Sequence, residues 1–450
     1  MKSAISRRHF LRNAGLCATA ASVGPLILPS RLLGSTAPGR KINIGMIGIG
    51  RQVKGSNLRP FLESNDCQVV AVCDVDAWRM DWGLNAVNTF YAKQNGRDSW
   101  KGCKAYKDFR KLLADKDIDA VFISTPDHWH APMAIAAFKA GKDVSLEKPV
   151  TRHIDEGRLI SNMAKEMKRV FRVDSEFRSL APMHRGAELV RNGLIGKVHA
   201  VRTGSPTEVF PDEPAIESPV PEGLDYDMWL GPAPLVPYME KRVHAPRNLD
   251  KRPGWMRNLD YCDGMVTNWG THLNDIGMWG ANLERTGPVE IKASGKFHKD
   301  PVWNVLEKFD AHYRFANDIE LFYQMGTPHV RFEGDKGWVQ IDYGKETLKA
   351  SSPEILNAVI PADGIRFPLR SEKLDFLEAV RTRGQTLEDA EVGHRVTSLC
   401  HLAHIAARVG GEDGVTLKWD PEKEVFLNNE DANKLTKRPP MRGPWSFESL

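Results

Sequence analysis

Two glycines spaced one residue apart, Gly48-Ile49-Gly50, follow the apolar run Ile42–Ile47 and lead into Arg51-Gln52-Val53. A strand ending in such a turn presents bare backbone amides at the start of a helix, where a pyrophosphate binds. Gly48, Gly50, Arg51 and Gln52 are therefore expected to hold a dinucleotide. Val53 stands where this turn usually has a third small residue, which predicts a helix set slightly off the sheet. Asp74 closes the next apolar run, Gln68–Cys73, at the spacing from which a carboxylate reaches ribose hydroxyls. Asp74 together with Asp76 would repel a 2′-phosphate, which favours NAD over NADP; Arg79 pulls the other way.

Ser124-Thr125-Pro126-Asp127-His128-Trp129-His130 and Glu147-Lys148-Pro149-Val150 each follow a further apolar run. Ligands of parallel sheets sit at the carboxyl ends of the strands, so Thr125, Pro126, His130, Glu147 and Lys148 are expected along the cofactor. A lysine beside a cationic nicotinamide and out of bulk water has a lowered pKa, which suits it to exchange a proton with a substrate hydroxyl. The alternative for Lys148 is a surface lysine in a tight Lys-Pro turn. Trp129, Trp255, Trp269 and Tyr261 lie in or near the chemical motifs, and aromatic faces can cover the C–H face of a pyranose. Trp129 and Trp269 are the substrate candidates, although core packing is the default for any one tryptophan.

These groups need a frame. Strands are predicted at Ile42–Ile47, Gln68–Cys73, Ala120–Ser124, Lys142–Leu146 and Arg169–Val173, with helical stretches such as Lys107–Asp115 and Ala131–Ala140 between them. That alternation implies an α/β fold with a Rossmann, doubly wound parallel sheet over residues 41–174. Beyond it, Ser205–Pro237 is Pro-rich and predicts a surface loop. Strands follow at Val198–Thr203, Val289–Lys296, Phe309–Phe315, Ile319–Met325, Val330–Glu333 and Trp338–Tyr343, with turn signals at Asn317-Asp318 and Gly334–Gly337. With helices at Ser371–Thr382 and Ala390–Val409, residues 175–450 predict an α+β domain on a mostly antiparallel, open-faced sheet.

The composition, 41% apolar and 27% charged, is that of a globular protein, and two domains suit 450 residues. The net charge of +4 is misleading. Residues 1–37 carry five basic residues and no acid, so the remainder stands at −1, with no basic stripe for nucleic acid. That first segment, with Ser6-Arg7-Arg8-His9-Phe10-Leu11-Arg12 ahead of a small and apolar stretch, resembles a twin-arginine export signal. It predicts a periplasmic or otherwise extracytoplasmic protein. No later apolar run approaches the roughly 18 residues of a membrane span. Cys67, Cys73, Cys103, Cys262 and Cys400 have neither metal spacing nor an even count, so they are expected as buried thiols, with no metal site.

Taken in order, the G-x-G turn, S-T-P-x-x-x-H and E-K-P-V resemble the glucose–fructose oxidoreductase/inositol dehydrogenase/rhizopine-catabolism family. Further matches are Ser175-Glu176-Phe177-Arg178, Gly193–Val198 and Asp263–Asp275, the last containing Asn268-Trp269-Gly270-Thr271-His272-Leu273-Asn274-Asp275. The likeness runs over roughly residues 41–445. It implies NAD(P)-dependent oxidation of a sugar hydroxyl and a homo-oligomer formed through the C-terminal sheet. It also implies an acid–base pair of lysine and histidine, which falls on Lys148 and His272, with Asp275 beyond. The family's first Asp of the D-x-x-x-H-x-x-D motif is Asn268 here, and an amide can hydrogen-bond a hydroxyl but cannot act as a base. Arg178, Glu176 and His184 are expected along the same cleft.

Export of a folded, cofactor-loaded protein would confine the nicotinamide to the chain, since free NAD is not expected outside the cytoplasm. Each hydride taken must then be returned on site. A ping-pong exchange between a sugar and a second carbonyl compound meets that demand. So does transient oxidation at C3 followed by elimination of a glycosidic group, although the Tyr-Pro-Thr-His-Gly-like run of a similar NAD-dependent glycosidase group is absent. A non-catalytic sugar-binding relative is the third reading.

Overall fold

Ile42–Ile47 is buried along almost its whole length and becomes β1, the centre of a six-stranded parallel sheet. Its neighbours are β2 (Cys67–Cys73) and β4 (Ala120–Ile123); β3 (Lys104–Tyr106), β5 (Asp143–Glu147) and β6 (Phe171–Asp174) complete the order β3-β2-β1-β4-β5-β6. Every residue of β4, β5 and β6 is buried, as expected of strands covered on both faces. The chain reverses its winding between β1 and β4, so the turns after these two strands open a crevice at their carboxyl ends. The computed structural model describes residues 41–450 apart from Glu346, and these form one compact unit. The paired-arginine segment, residues 1–37, lies outside the described residues.

The second sheet has nine strands: β7 (Val198–Ser205), β8 (Glu290–Phe297), β9 (Leu306–Arg314), β10 (Glu320–Met325), β11 (His329–Gly334), β12 (Gly337–Asp342), β13 (Thr347–Ala350), β14 (Val415–Asp420) and β15 (Val425–Phe426). All its adjacent pairs are antiparallel except β7 with β10. Burial alternates along β9, so one face is covered and the other open. Helices Gly270–Gly280 and Ala390–Gly410 cover the inner face through Leu273, Ile276, Val396, Leu399 and Leu402.

The structure differs from the sequence expectations in three places that shape the site. Val53 is fully buried, and the helix takes up its bulk in a π-helical turn, Val53–Asn57, before continuing as Leu58–Glu63. Ser205–Pro237 is a surface loop only in its first half. From Leu224 onward the chain buries Trp229, Leu230, Tyr238, Val243 and Tyr261 in a small core of their own. Helix Glu372–Thr382 does not stay with the second sheet. Its stripe Phe376, Leu377, Ala379 and Val380 packs with Val69, Ala120 and Phe122 of the parallel sheet.

Candidate active site

Gly48 takes φ +86°, and a Cβ there would lie 2.5 Å from the Ser124 carbonyl oxygen. Only glycine lets the β1 and β4 turns touch. Gly50 has nothing within 4 Å on its Cβ side, where a cleft opens. Arg51, Gln52, Asp74, Thr125, Pro126, Glu147 and Lys148 line this cleft, as expected. Asp74 is already engaged: Oδ2 accepts from the Ile49 amide at 2.6 Å and Oδ1 from the Asp76 amide at 2.9 Å. Burial lifts its carboxyl to about 6, against the pull of Arg79 and these amides. Each oxygen keeps a lone pair for a further donor. Thr125 Oγ1 and Asp127 Oδ2 are buried and have no hydrogen-bond partner among the described residues. An open glycine turn with orphaned polar atoms beyond it fits a dinucleotide laid from Asp74 toward Lys148.

His130 is placed differently from expectation. Its Nδ1 lies 2.6 Å from the Pro149 carbonyl and its Nε2 3.0 Å from that of Thr125, so it ties the β4 and β5 turns together and does not line the cleft. Trp129 does line it but is only 3% exposed. Its ring packs edgewise on Phe109 (5.4 Å) and Trp445 (4.9 Å), and Nε1 donates to the Trp229 carbonyl at 3.0 Å, so it serves as wall.

At the far end of the cleft, Lys148 Nζ donates to the backbone carbonyl of Asn268 at 3.1 Å. One turn later on the next helix, His272 is stacked on Phe177 at 4.4 Å with its Nδ1 2.9 Å from Ser175 Oγ. Burial and the Lys148 charge hold this imidazole down to about 4, with Glu176 and Glu372 opposing, so the ring is neutral at ordinary pH. Trp269 is half-buried, with its ring centroid 6.4 Å from that of His272, and edge-on to Tyr343 at 5.0 Å. This aromatic corner packs against the core of the second sheet next to Asn268, which lines the cleft, whereas Trp269 and His272, expected as substrate contacts, do not themselves line it.

Asp275 and Arg178 are brought together, but with each other. Arg178 Nε and Nη2 donate to Asp275 at 2.8 and 2.5 Å, Nη1 donates to the Leu387 carbonyl, and the guanidinium lies over Trp279. Both side chains are at most 1% exposed. The expected catalytic part for Asp275 and substrate contact for Arg178 are therefore replaced by a buried, bidentate ion pair that anchors the histidine helix. His184 packs against Trp279 and Phe367 near Glu188, apart from Lys148.

Sequence reasoning missed the roof. Residues 223–257 pass over the cleft, contributing Met228, Trp229, His244, Leu249, Pro253 and Trp255 to its lining. They are tied down by backbone bonds Ala77 to Gly223 and Asp225 to Val75, each 3.0 Å, by His244–Asp76 (3.1 Å) and by Lys54–Asp250 (2.7 Å). Arg79 Nη2 donates to the carbonyls of Ala245 and Asn248. Ser175 and Phe177 were also missed as neighbours of His272, and Tyr343 as the ring packed on Phe177 and Trp269. The run Ser175–Arg178, singled out for its arginine alone, was the available signal. Among the described residues no group of acidic, histidine or cysteine side chains is arranged to hold a metal, and all five described cysteines are buried and free.

The comparisons agree with this architecture. A model for the oxidoreductase family's NAD-binding Rossmann fold matches residues 42–175, and one for its C-terminal alpha/beta domain matches residues 210–447. A glycosyl hydrolase family 109 protein of Shewanella pealeana is 33% identical over 165 residues, which is 34% of this chain and 35% of that protein. A second protein so named, from Saccharopolyspora erythraea, is 30% identical over 159 residues, 35% of this chain and 33% of its own length. The chain thus matches about a third of the length of these curated relatives. Among solved structures, aldose-aldose oxidoreductase from Caulobacter crescentus, complexed with glycerol, superposes with a TM-score of 0.60 at 19% identity, covering 84% of this chain and 100% of that one. The WlbA dehydrogenase from Bordetella pertussis, in complex with NADH and UDP-GlcNAcA, gives 0.59 at 16% identity, over 85% and 99%. At these identities the likeness is one of fold. With a Rossmann sheet carrying the glycine turn, a lysine at the end of its fifth strand and family-model matches across both halves, the chain belongs to the Gfo/Idh/MocA oxidoreductase family.

Proposed function

We propose that this protein oxidises a hydroxyl of a neutral pyranose or glycoside, using NAD held under the 223–257 roof and recycled without release. The observation that carries the reading is Lys148 at one end of the cleft, bonded to the Asn268 carbonyl and near enough to the neutral imidazole of His272 for its charge to act on that ring. When bound there, the nicotinamide supplies the hydride acceptor and donor. The chain's own residues handle the proton: His272 takes it from the hydroxyl at Nε2, and Lys148 Nζ donates a hydrogen bond, keeping its own proton, to the same oxygen as it becomes a carbonyl. Glu176, 42% exposed beside His272, disfavours an acidic sugar. NAD is preferred to NADP because the Asp74 carboxylate lines the ribose end, while Asp76 caps the next helix and Arg79 is already spent on Asp76 and three carbonyls.

The paired arginines of residues 7 and 8 support export, and export supports the closed redox cycle. The open face of the nine-stranded sheet, with half-buried Phe322 between His312 and Arg202, supports pairing of copies through that sheet. A redox-neutral cleavage through a transient 3-keto sugar is the second reading, favoured by the likeness to proteins named glycosyl hydrolase family 109. The test is the absorbance spectrum of protein purified without added cofactor, before and after mixing with a panel of pyranoses and glycosides. A band near 340 nm, roughly that of the reduced ring, is expected on mixing. Release of an aglycone with no net acceptor would select the second reading. Protein that neither carries nor binds nicotinamide would overturn both.

A further inference from the structure

His272 must present a lone pair to do what the proposed function asks of it, and a neutral imidazole has only one. Which nitrogen carries it depends on what faces the other. The carboxylates on the ring's own stretch of chain are not available for this. Asp275, one turn on, is locked to Arg178. Position 268, one turn back, holds an amide whose backbone carbonyl receives Lys148. Glu372, from helix Glu372–Thr382, accepts from Lys373 Nζ at 2.6 Å and Ser179 Oγ at 2.9 Å. What does face Nδ1 comes from the loop after β6. Ser175 Oγ stands at 2.9 Å, Glu176 Oε2 at 3.9 Å, and Phe177 fixes the ring plane by stacking at 18°. The positive charge that acts on the ring is that of Lys148.

We propose that Ser175 and Glu176 are positioning residues that hold His272 as the Nδ1-protonated tautomer, leaving the Nε2 lone pair for the substrate hydroxyl. The inference rests on the reading of His272 as proton acceptor, but its own claim is about the resting ring. A carboxylate nearly 4 Å from Nδ1 favours the tautomer whose N–H dipole points toward it, and the serine oxygen, 2.9 Å away, accepts that proton. When the ring takes a second proton at Nε2, the same carboxylate faces the new charge. Three consecutive residues thus set the ring's plane, proton and charge. They replace a carboxylate on the helix itself, and they bring the charge from a side chain still open to solvent.

The test is long-range ¹⁵N–¹H correlation on the full chain labelled at histidine nitrogen, with His272→Gln identifying the signals of this ring. The wild-type ring is expected to show a proton-bearing Nδ1 and an unprotonated Nε2. Ser175→Ala combined with Glu176→Gln is expected to give a mixture of tautomers. Ser175→Thr, which keeps the hydroxyl, is expected to retain the wild-type pattern. In turnover, Glu176→Gln should lower kcat by about 10- to 100-fold with KM little changed. It should also move the acid limb of the pH profile downward, because a carboxylate that favours the imidazolium is gone. An Nε2-protonated ring in the wild type, or an unchanged tautomer in the double variant, would overturn the proposal. Glu176 is partly exposed and glutamine has its shape, so Glu176→Gln alone carries the test if the double variant does not fold. Should no sugar reduce bound NAD, the proposed function fails, while the tautomer still decides this inference.

Discussion

Asp275→Ala separates a structural carboxylate from a catalytic one. The change takes from the Arg178 guanidinium, 1% exposed, both of its carboxylate hydrogen bonds, leaving it the Leu387 carbonyl, the Trp279 face and the charges of Glu388 and Glu284 close by. Removing one partner of a buried pair costs about 3–5 kcal/mol, mostly from the charge left behind. Unfolding entropy of about 2.1 cal/mol/K per residue, over roughly 410 residues melting as one unit, is about 0.9 kcal/mol/K, so Tm should fall by about 3–6 °C. Replacing both partners with apolar residues, Arg178→Met with Asp275→Leu, should recover part of that loss, because neither member of the pair is left unmatched and Glu388 keeps Arg172. Calorimetry or urea unfolding measures the stability, and NAD titration followed by sugar-dependent reduction at sub-melting temperature measures function. The folded fraction of Asp275→Ala should turn over within about tenfold of wild type, a loss that a slightly displaced histidine helix can cause. A variant with wild-type Tm and no turnover would refute the ion-pair reading and restore Asp275 to the chemistry.

Lys148→Ala should reduce hydride transfer by about 10²–10⁴-fold while NAD still binds, because the amine acts on the substrate oxygen; single-turnover absorbance checks both. Gly50→Ala should leave Tm unchanged yet weaken NAD, since its Cβ meets no protein atom and projects into the cleft, whereas Gly48→Ala should lower both through the 2.5 Å clash and the positive φ. Equal NAD affinity for Gly50→Ala and wild type would contradict the assignment of the glycine turn. Asp74 titrates at about 6 in the cofactor-free protein, and its anion accepts hydrogen bonds that the acid form loses. NAD affinity, followed by tryptophan fluorescence, should therefore be flat above about pH 6 and fall by up to tenfold per unit below it; Asp74→Asn should remove that dependence.

What the sequence made legible was whatever local spacing dictates. The glycine turn, Asp74 at a strand end and Lys148 at another follow from periodicity plus the rule that ligands sit at carboxyl ends, and all three line one cleft. The strands that were predicted came within a few residues of their observed ends for the same reason, while β3, β13 and β15, short and at sheet edges, carry too little pattern to announce themselves, and β14, six residues long, was missed as well. Illegible were the partnerships made over long separations. Arg178 with Asp275 and Ser175 with His272 are each 97 residues apart, and no local signal says which carboxylate an arginine will meet. The roof shows the same limit from another side. Proline-rich composition fits the irregular first half of residues 205–237, but it could not say that Tyr226–Leu230 would form a short helix, or that Leu224, Trp229 and Leu230 would build a small core with Trp229 lining the cofactor cleft.

Helix Glu372–Thr382 has a consequence for how such a chain can be taken apart. Its Lys373 Nζ sits at 2.8 Å from Asp174 and 3.0 Å from Asn57 Oδ1, while Asn57 Nδ2 donates to Glu147, the residue before Lys148. A cation from late in the chain thus helps to offset the carboxylates at the carboxyl ends of β5 and β6, where burial pushes both Glu147 and Asp174 upward, aided by Asp174 for Glu147 and by Glu372 for Asp174. A fragment ended near residue 175, where the Rossmann match stops, would lose that counterion along with the apolar stripe beside it. The two halves are therefore not interchangeable modules. A chimera that grafts a new substrate half onto this nucleotide half must bring its own lysine to the same spot, or retain residues 372–382 as part of the nucleotide half.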